Sequence, residues 1–227
     1  FAGVREDDGW KEPARPRLLL PPGCRPLRRG AEHQDAEAWD YLGGRRIAPE
    51  VVLAWEVAWW PAAGRVVVPV TLRGELVDWV ARDVTGTARV KALSAKREDG
   101  ARKGASLAGW DLVGAARVVR LCEGVFDAMR LWSAGMGPAV AVCTNHLSDD
   151  QRDLLLGAGR GVEIWPDGDR PGERLVEDVC GLWAIEVRVR RVPDGLDPGA
   201  CSDAEIAGVA ASASEVTRRF RVALETA

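Results

Sequence analysis

Apolar and polar residues change their period twice along this chain. Between residues 33 and 60 apolar side chains recur three and four positions apart through AEAWDYLGGRRIAPEVVLAWEVAWW, with a break at Gly43-Gly44. That spacing predicts helix. A second helix is expected to start at Ala48-Pro49-Glu50, because proline has no N–H to lose in a first turn. Trp55, Trp59 and Trp60 on this stretch are expected to pack in the interior rather than to offer a platform for stacking bases. Over residues 65–82 the period drops to two. RVVVPV, TLRG and ELVDWVAR read as a hairpin of two strands around a glycine-containing turn. Pro69 cannot donate to a ladder and so predicts an edge position or a bulge. DVTGTARVKALSAKREDGARKGAS, which follows, has no period and reads as irregular and basic.

From Ala116 onward short β-branched runs alternate with amphipathic ones. ARVVRLC (116–122), PAVAVC (138–143), GVEIW (161–165) and AIEVRVRRV (184–192) are predicted strands. VFDAMRLWSAG (125–135), SDDQRDLLLGAG (148–159) and GERLVEDVCGLW (172–183) are predicted helices, the second capped by Ser148. A β-α-β-α-β-α-β order calls for a mostly parallel sheet with right-handed crossovers and helices on its faces. Ligands of such sheets collect at the C-terminal ends of the strands.

Composition narrows the class. The chain has 227 residues, 47% of them hydrophobic, enough for a buried core. No apolar run approaches the roughly 20 residues that span a bilayer, and no signal-peptide pattern follows Phe1. We expect a piece of a longer chain, without membrane contact. The five cysteines are scattered and form no CxxC pair, which fits a reducing cytoplasm and neither a zinc ribbon nor a disulfide framework. Net charge is −3, yet Pro61–Trp110 carries nine Lys/Arg against five acids. A basic stretch in an acidic chain is either a solvated face or a nucleic-acid track. The expected organisation is a linker or extended arm (1–30, rich in Pro, Arg and Gly), a small basic α+β subdomain (31–115), the parallel α/β domain (116–203) and a helical tail (204–227).

Acids recur where the strands end. Glu123-Gly124 follows the first strand with Asp127 four residues on, Asp167-Gly168-Asp169 follows the third, and PDGLDP with Asp194 and Asp197 follows the fourth. Each acid alone could cap the next helix. Together on one edge they would repel unless a cation neutralised them, and hard oxygen donors suit Mg²⁺ or Mn²⁺. Only His33 and His146 are available as imidazole ligands.

CEGVFDAMRL, followed about forty residues later by WPDGDRPG, resembles the TOPRIM domain shared by DNA primases, topoisomerases and some nucleases. AWDYLGGRRIAPEVV, RVVVPVTLRGELVDWVARDV, ARVKALSAK, RKGASLAGWD and VPDGLDP extend the resemblance to the RNA polymerase domain of bacterial and phage primases, over about Leu20–Asp203. The chain departs from that family at Gly199, where many relatives carry a second Asp, at Thr144-Asn145 and at Ala92, and it has no counterpart of the N-terminal zinc-binding module. The resemblance implies a TOPRIM-like mostly parallel sheet flanked by helices and preceded by a smaller α+β basic subdomain.

It further implies that Glu123, Asp167 and Asp169 are the principal metal ligands and catalytic acids, supported by Asp127 and Asp197, with Glu123 open to a role as general base. Arg65, Arg82, Lys91 and Lys103 match basic positions that face template or incoming nucleotide. The implied activity is templated synthesis of short RNA primers by metal-dependent nucleotidyl transfer. The partners would be a single-stranded DNA template, nucleoside triphosphates and a replicative helicase. The same acids would serve a TOPRIM nuclease, and a non-catalytic module binding DNA or helicase is the third reading. A topoisomerase needs a nucleophilic tyrosine, and the single tyrosine, Tyr41, lies in the helix-pair segment.

Overall fold

The protein is described by a computed structural model covering residues 16–144, 146–182, 185–212 and 215–217. Two five-stranded sheets share one core. The first sheet is an antiparallel meander of β1 (Arg25–Pro26), β2 (Ala58–Trp60), β3 (Arg65–Leu72), β4 (Glu75–Asp83) and β5 (Ala92–Ser94), in that order. α1 (Ala36–Gly44) and α2 (Pro49–Ala54, with Pro49 in its first turn) pack beside it.

The hairpin forms as the period predicts. Its turn places Arg73 and Gly74 at φ 53° and 77°, the left-handed pair that matches the twist of two antiparallel strands. The Asp111 carboxylate accepts both of their backbone N–H groups at 2.9 Å, which ties the tip to the rest of the fold. β2 covers only Arg65–Val67 of β3, so Pro69 sits where its strand is locally an edge, and a bulge follows between Val70 and Thr71.

The second sheet has the order β10-β9-β8-β6-β7. β6 (Val118–Cys122), β7 (Ala139–Ala141), β8 (Gly161–Ile164) and β9 (Val187–Val189) run parallel, joined by α3 (Val125–Ser133), α4 (Asp149–Ala158) and α5 (Arg170–Cys180). Ser148 caps α4 in a reciprocal box with Gln151, as the sequence predicts. Val119, Leu121, Val162 and Ile164 point to one face, where Leu155, Leu175 and Val179 of α4 and α5 cover them. The opposite face meets α3, and through it the first sheet: Cys122, Ala139 and Ala141 share a cluster with Phe126 and Met129 of α3 and with Val66, Val68 and Trp55.

Three sequence readings are corrected. The helix expected to run on to Trp60 stops at Ala54, because Glu56 adopts φ 53°, and Ala58–Trp60 becomes a strand on β3. Trp55 and Trp59 are nonetheless buried in the core as expected, at 3% and 4% exposure. The arm is not free over its described part, since β1 pairs with β2 and Leu18 and Leu27 are buried; residues 1–15 lie outside the described residues. The tail holds the expected helix, α6 (Asp203–Ala211), but then adds β10 (Glu215–Thr217), antiparallel on β9. The rest of the tail, from residue 218, also lies outside the described residues, as do residues 183–184 where α5 and β9 were expected to meet, and Asn145. Among the described residues no helix is long and apolar enough to cross a membrane.

Candidate functional site

The strand order decides where a ligand can sit. The chain leaves β6 for β7 on one side and returns to β8 on the other, so the crevice between β6 and β8 is the switch point of the sheet. Glu123 and Gly124 follow β6 there, and Trp165–Asp169 follow β8. A third segment closes the crevice: Gly168 N–H donates to Leu196 O at 3.1 Å, which fastens the Asp-Gly-Asp turn to the Pro193–Asp197 loop.

The result is a cleft of about 360 Å³ lined by Glu123, Asp127, Asp167 and Asp197, with Arg45, Arg82, Phe126, Cys143 and Thr144 on its walls. Backbone amides hold three of these acids in place. Glu123 Oε1 accepts from Asp167 N at 3.2 Å, Asp127 Oδ1 from Gly199 N at 3.0 Å, and Asp197 Oδ1 from Ala200 N at 2.7 Å. Two glycines make this approach possible. A Cβ on Gly199 would lie 2.6 Å from Asp127 Oδ1, and one on Gly172 would lie 2.2 Å from Asp167 O and 3.0 Å from Glu123 Oε1. A side chain at Gly199 would therefore displace the Asp127 carboxylate.

The acids oppose one another's ionisation. Burial, and then the charges of Asp127, Glu123, Asp197 and Asp169, push the Asp167 carboxyl up to about 8. Burial and the Asp197 charge push Asp127 up to about 7, against the Gly199 N–H and the Arg45 charge, which favour its ionised form. Glu123 is raised mainly by burial. Asp167 Oδ1 is buried and has no hydrogen-bond partner. A buried, unpartnered carboxylate oxygen among three like charges is the arrangement that a divalent cation relieves, so the residues present fit such an ion. They are not closed round it: among the described residues no three His, Cys, Asp or Glu side chains are already grouped to grip a metal.

Asp169 is placed differently from its expected partners. It is the N-cap of α5, with Oδ1 accepting from Gly172 N at 3.0 Å, and it stands outside the cleft wall while its charge still reaches Asp167. Both readings of the sequence thus apply to neighbouring residues, Asp169 as a cap and Asp167 as a cleft acid.

The basic residues divide as well. Arg82 lines the cleft. Lys91 and Lys103 are exposed, and Lys103 Nζ donates to Ser94 Oγ at 3.1 Å beside Arg73, Arg97 and Arg102 on a broad neighbouring groove. Arg65, expected to face template or nucleotide, is instead buried, and its guanidinium donates to the carbonyls of Ala81, Val90 and Lys91 at 3.3, 2.6 and 3.2 Å. A guanidinium surrounded by carbonyls stays inside because they satisfy its donors. It holds the segment that bears Lys91, just before β5. Arg45 was missed. The available signal was its place just after Gly43-Gly44, the end of α1, in the segment that carried the resemblance.

Comparison with known proteins agrees with this geometry. Residues 120–202 match the Toprim-like family model. The chain is 29% identical over 144 residues to a DNA primase of Aquifex aeolicus, across 59% of this chain and 28% of that protein. Its fold matches the zinc-binding and RNA polymerase domains of the Aquifex aeolicus primase with a TM-score of 0.70, at 22% identity over 82% of this chain and 57% of that one. It also matches the DnaG primase catalytic domain bound to ssDNA, with a TM-score of 0.66 at 20% identity, over 82% of this chain and 76% of that one.

Proposed function

We propose that this chain, a Toprim-like domain set within the fold of the bacterial primase catalytic core, joins nucleotides into short RNA primers on single-stranded DNA. The observation that carries the reading is the convergence of Glu123, Asp127, Asp167 and Asp197 on one crevice at the sheet's switch point, with an Asp167 oxygen left unpartnered.

In primer synthesis a ribose 3′-hydroxyl attacks the α-phosphorus of a nucleoside triphosphate; the bond to the bridging oxygen breaks and pyrophosphate leaves. Glu123, Asp127, Asp167 and Asp197 are the side chains that would hold Mg²⁺ or Mn²⁺, with Asp169 contributing charge from just outside. Such an ion supplies positive charge where negative charge gathers on phosphate oxygens. Glu123 has its Oε2 uncommitted, while Oε1 is fixed by the Asp167 amide. In place of holding the ion, it is also suited to take the proton from the attacking hydroxyl, directly or through water. Its raised proton affinity favours that acceptance near neutral pH. Arg82, on the cleft wall, and Lys91 and Lys103, on the surface beside it, are suited to phosphate oxygens of the template and nucleotide, contacts that position without reading sequence. The solved relative bound to ssDNA supports a DNA template for this fold.

Incubation with a single-stranded template, labelled nucleoside triphosphates and Mn²⁺ or Mg²⁺ tests the reading. We expect short metal-dependent RNA products, abolished in the Asp127→Ala/Asp167→Ala protein. Shortening of labelled DNA with no RNA product would assign the acids to a nuclease. Metal and DNA binding with neither product would leave a non-catalytic module.

A further inference from the structure

The loop that carries Asp197 and Gly199 is gripped from behind the cleft by two arginines. Arg130, on α3, is 1% exposed, and its Nε and one terminal nitrogen donate to the Cys201 carbonyl at 3.2 and 3.1 Å. The same terminal nitrogen donates to the carboxylate of Asp203, the first residue of α6, which is 80% exposed. Arg46 reaches the loop from the turn after α1 and donates to the Ala200 and Cys201 carbonyls at 3.2 and 3.3 Å. An ion pair with one end in the interior and the other in water is a poor source of stability. Desolvating the guanidinium is costly, the solvated partner is screened, and an apolar side chain of similar volume would fill the same space.

What these contacts achieve is alignment. Asp127 lies three residues before Arg130, on the same face of α3, and accepts the Gly199 N–H at 3.0 Å. α3 thus holds the loop at two points of opposite polarity, carboxylate to amide at 199 and guanidinium to carbonyl at 201. Between them the Ala200 N–H fixes the Asp197 carboxylate at 2.7 Å. The amides that aim two of the cleft acids therefore belong to a turn whose last carbonyls the arginines fix.

We propose that Arg130 and Arg46 are positioning residues for the divalent cation: by fixing the Ala200 and Cys201 carbonyls they set the Gly199 and Ala200 amides, and so hold Asp127 and Asp197 at the geometry the ion requires. The inference rests on the reading of the cleft given above and extends it to two residues that do not touch the ion. Without the Arg130 guanidinium, α3 would keep this loop through the Asp127 carboxylate, which would then serve as loop anchor and ion ligand at once. Groups that orient the ligands of a metal govern its affinity although they lie outside the ligand set.

Calorimetric titration of the whole chain with Mn²⁺ at pH 8 tests this, beside primer synthesis followed against Mn²⁺ concentration. Arg130→Met fills the interior without the charge. It is expected to weaken Mn²⁺ binding about tenfold, while melting in EDTA stays within about 4 °C of wild type. Arg130→Lys, which can still donate to the Cys201 carbonyl, is expected to recover part of that affinity. Arg46→Gly removes an exposed side chain from a backbone at φ 57° that glycine adopts without strain. It is expected to weaken Mn²⁺ binding about three- to tenfold with melting unchanged, and it decides the matter should Arg130→Met unfold early. In each variant synthesis should need proportionately more Mn²⁺ and reach the wild-type plateau, a split that general loosening of the fold would not give. Wild-type Mn²⁺ affinity in both Arg130→Met and Arg46→Gly overturns the assignment. So does synthesis lost at unchanged Mn²⁺ affinity, which would put the arginines on nucleic acid, or a plateau that excess Mn²⁺ does not restore, which would make them structural. A wild-type chain that binds Mn²⁺ but makes no primer sinks the proposed function alone, and the titration still decides the arginines. One that binds no Mn²⁺ overturns the reading of the cleft itself.

Discussion

Replacing Asp167 by asparagine should stabilise the metal-free protein. The carboxyl titrates near 8 instead of its ordinary 3.8. At about 1.4 kcal/mol per tenfold change in proton affinity, that corresponds to roughly 6 kcal/mol against the ionised folded form. The repulsion is shared with Asp127 and Asp197, and the open side of the cleft admits water, so about 2–3 kcal/mol should be recoverable at this position alone. The sign follows from linkage. A carboxyl whose folded pKa is raised destabilises the folded state once ionised, so the penalty is absent below about pH 4, grows between pH 4 and 8, and is full above about pH 8. Asp167→Asn keeps the shape and removes the charge. In EDTA at pH 8.5 its melting temperature, followed by tryptophan fluorescence, should exceed wild type by about 5–10 °C, and at pH 4.5 the two should nearly coincide. Added Mn²⁺ should raise the wild-type melting temperature and leave the variant where it was. A variant that melts no higher than wild type at pH 8.5 without metal would refute the reasoning, because the cleft would then carry no repulsion for a cation to relieve.

Asp169 allows the cap and the charge to be separated. Asp169→Asn should keep α5 capped and melt within about 1 °C of wild type, whereas Asp169→Ala should lose about 1 kcal/mol in urea unfolding; both should lose primer synthesis, and full activity in Asp169→Asn would remove this residue from the chemistry. Changing Arg82 and Lys91 together to alanine should weaken single-stranded DNA binding and reduce the magnitude of its log–log salt slope by about 1–2, and an unaltered slope would count against a phosphate track on this face.

The parallel half was legible because its strands are short β-branched runs buried on both faces, and each is followed by a helix with its own cap, as at Ser148. The acids could be placed on one edge for the same reason, since the C-terminal end of a strand is fixed by topology once the strand is known. The antiparallel half was read less well. Ala58–Trp60 is too short to display a period, and only the left-handed turn at Glu56, a position no sequence signal marks, separates it from α2. Arg65 lies in a basic stretch and carries the same charge as Arg82, so charge alone could not tell a side chain enclosed by carbonyls from one lining the cleft. Asp169 shows the remaining limit. Asp-Gly-Asp gives two acids one residue apart, and backbone direction decides which faces the crevice and which turns to an amide.

The placement of α3 has a consequence for access to the cleft. Phe126 and Met129 on this helix belong to a cluster that includes Trp55 and Val66 of the antiparallel half and Cys122 and Ala141 of the parallel half. Ser133 Oγ accepts the Ala48 N–H at 2.9 Å across the same boundary. Among the described residues interior side chains are continuous from one sheet to the other, which opposes a swing of the two sheets apart. Access to the cleft would thereby be confined to its solvent mouth, where a movement of one or two rim residues breaks no interior packing.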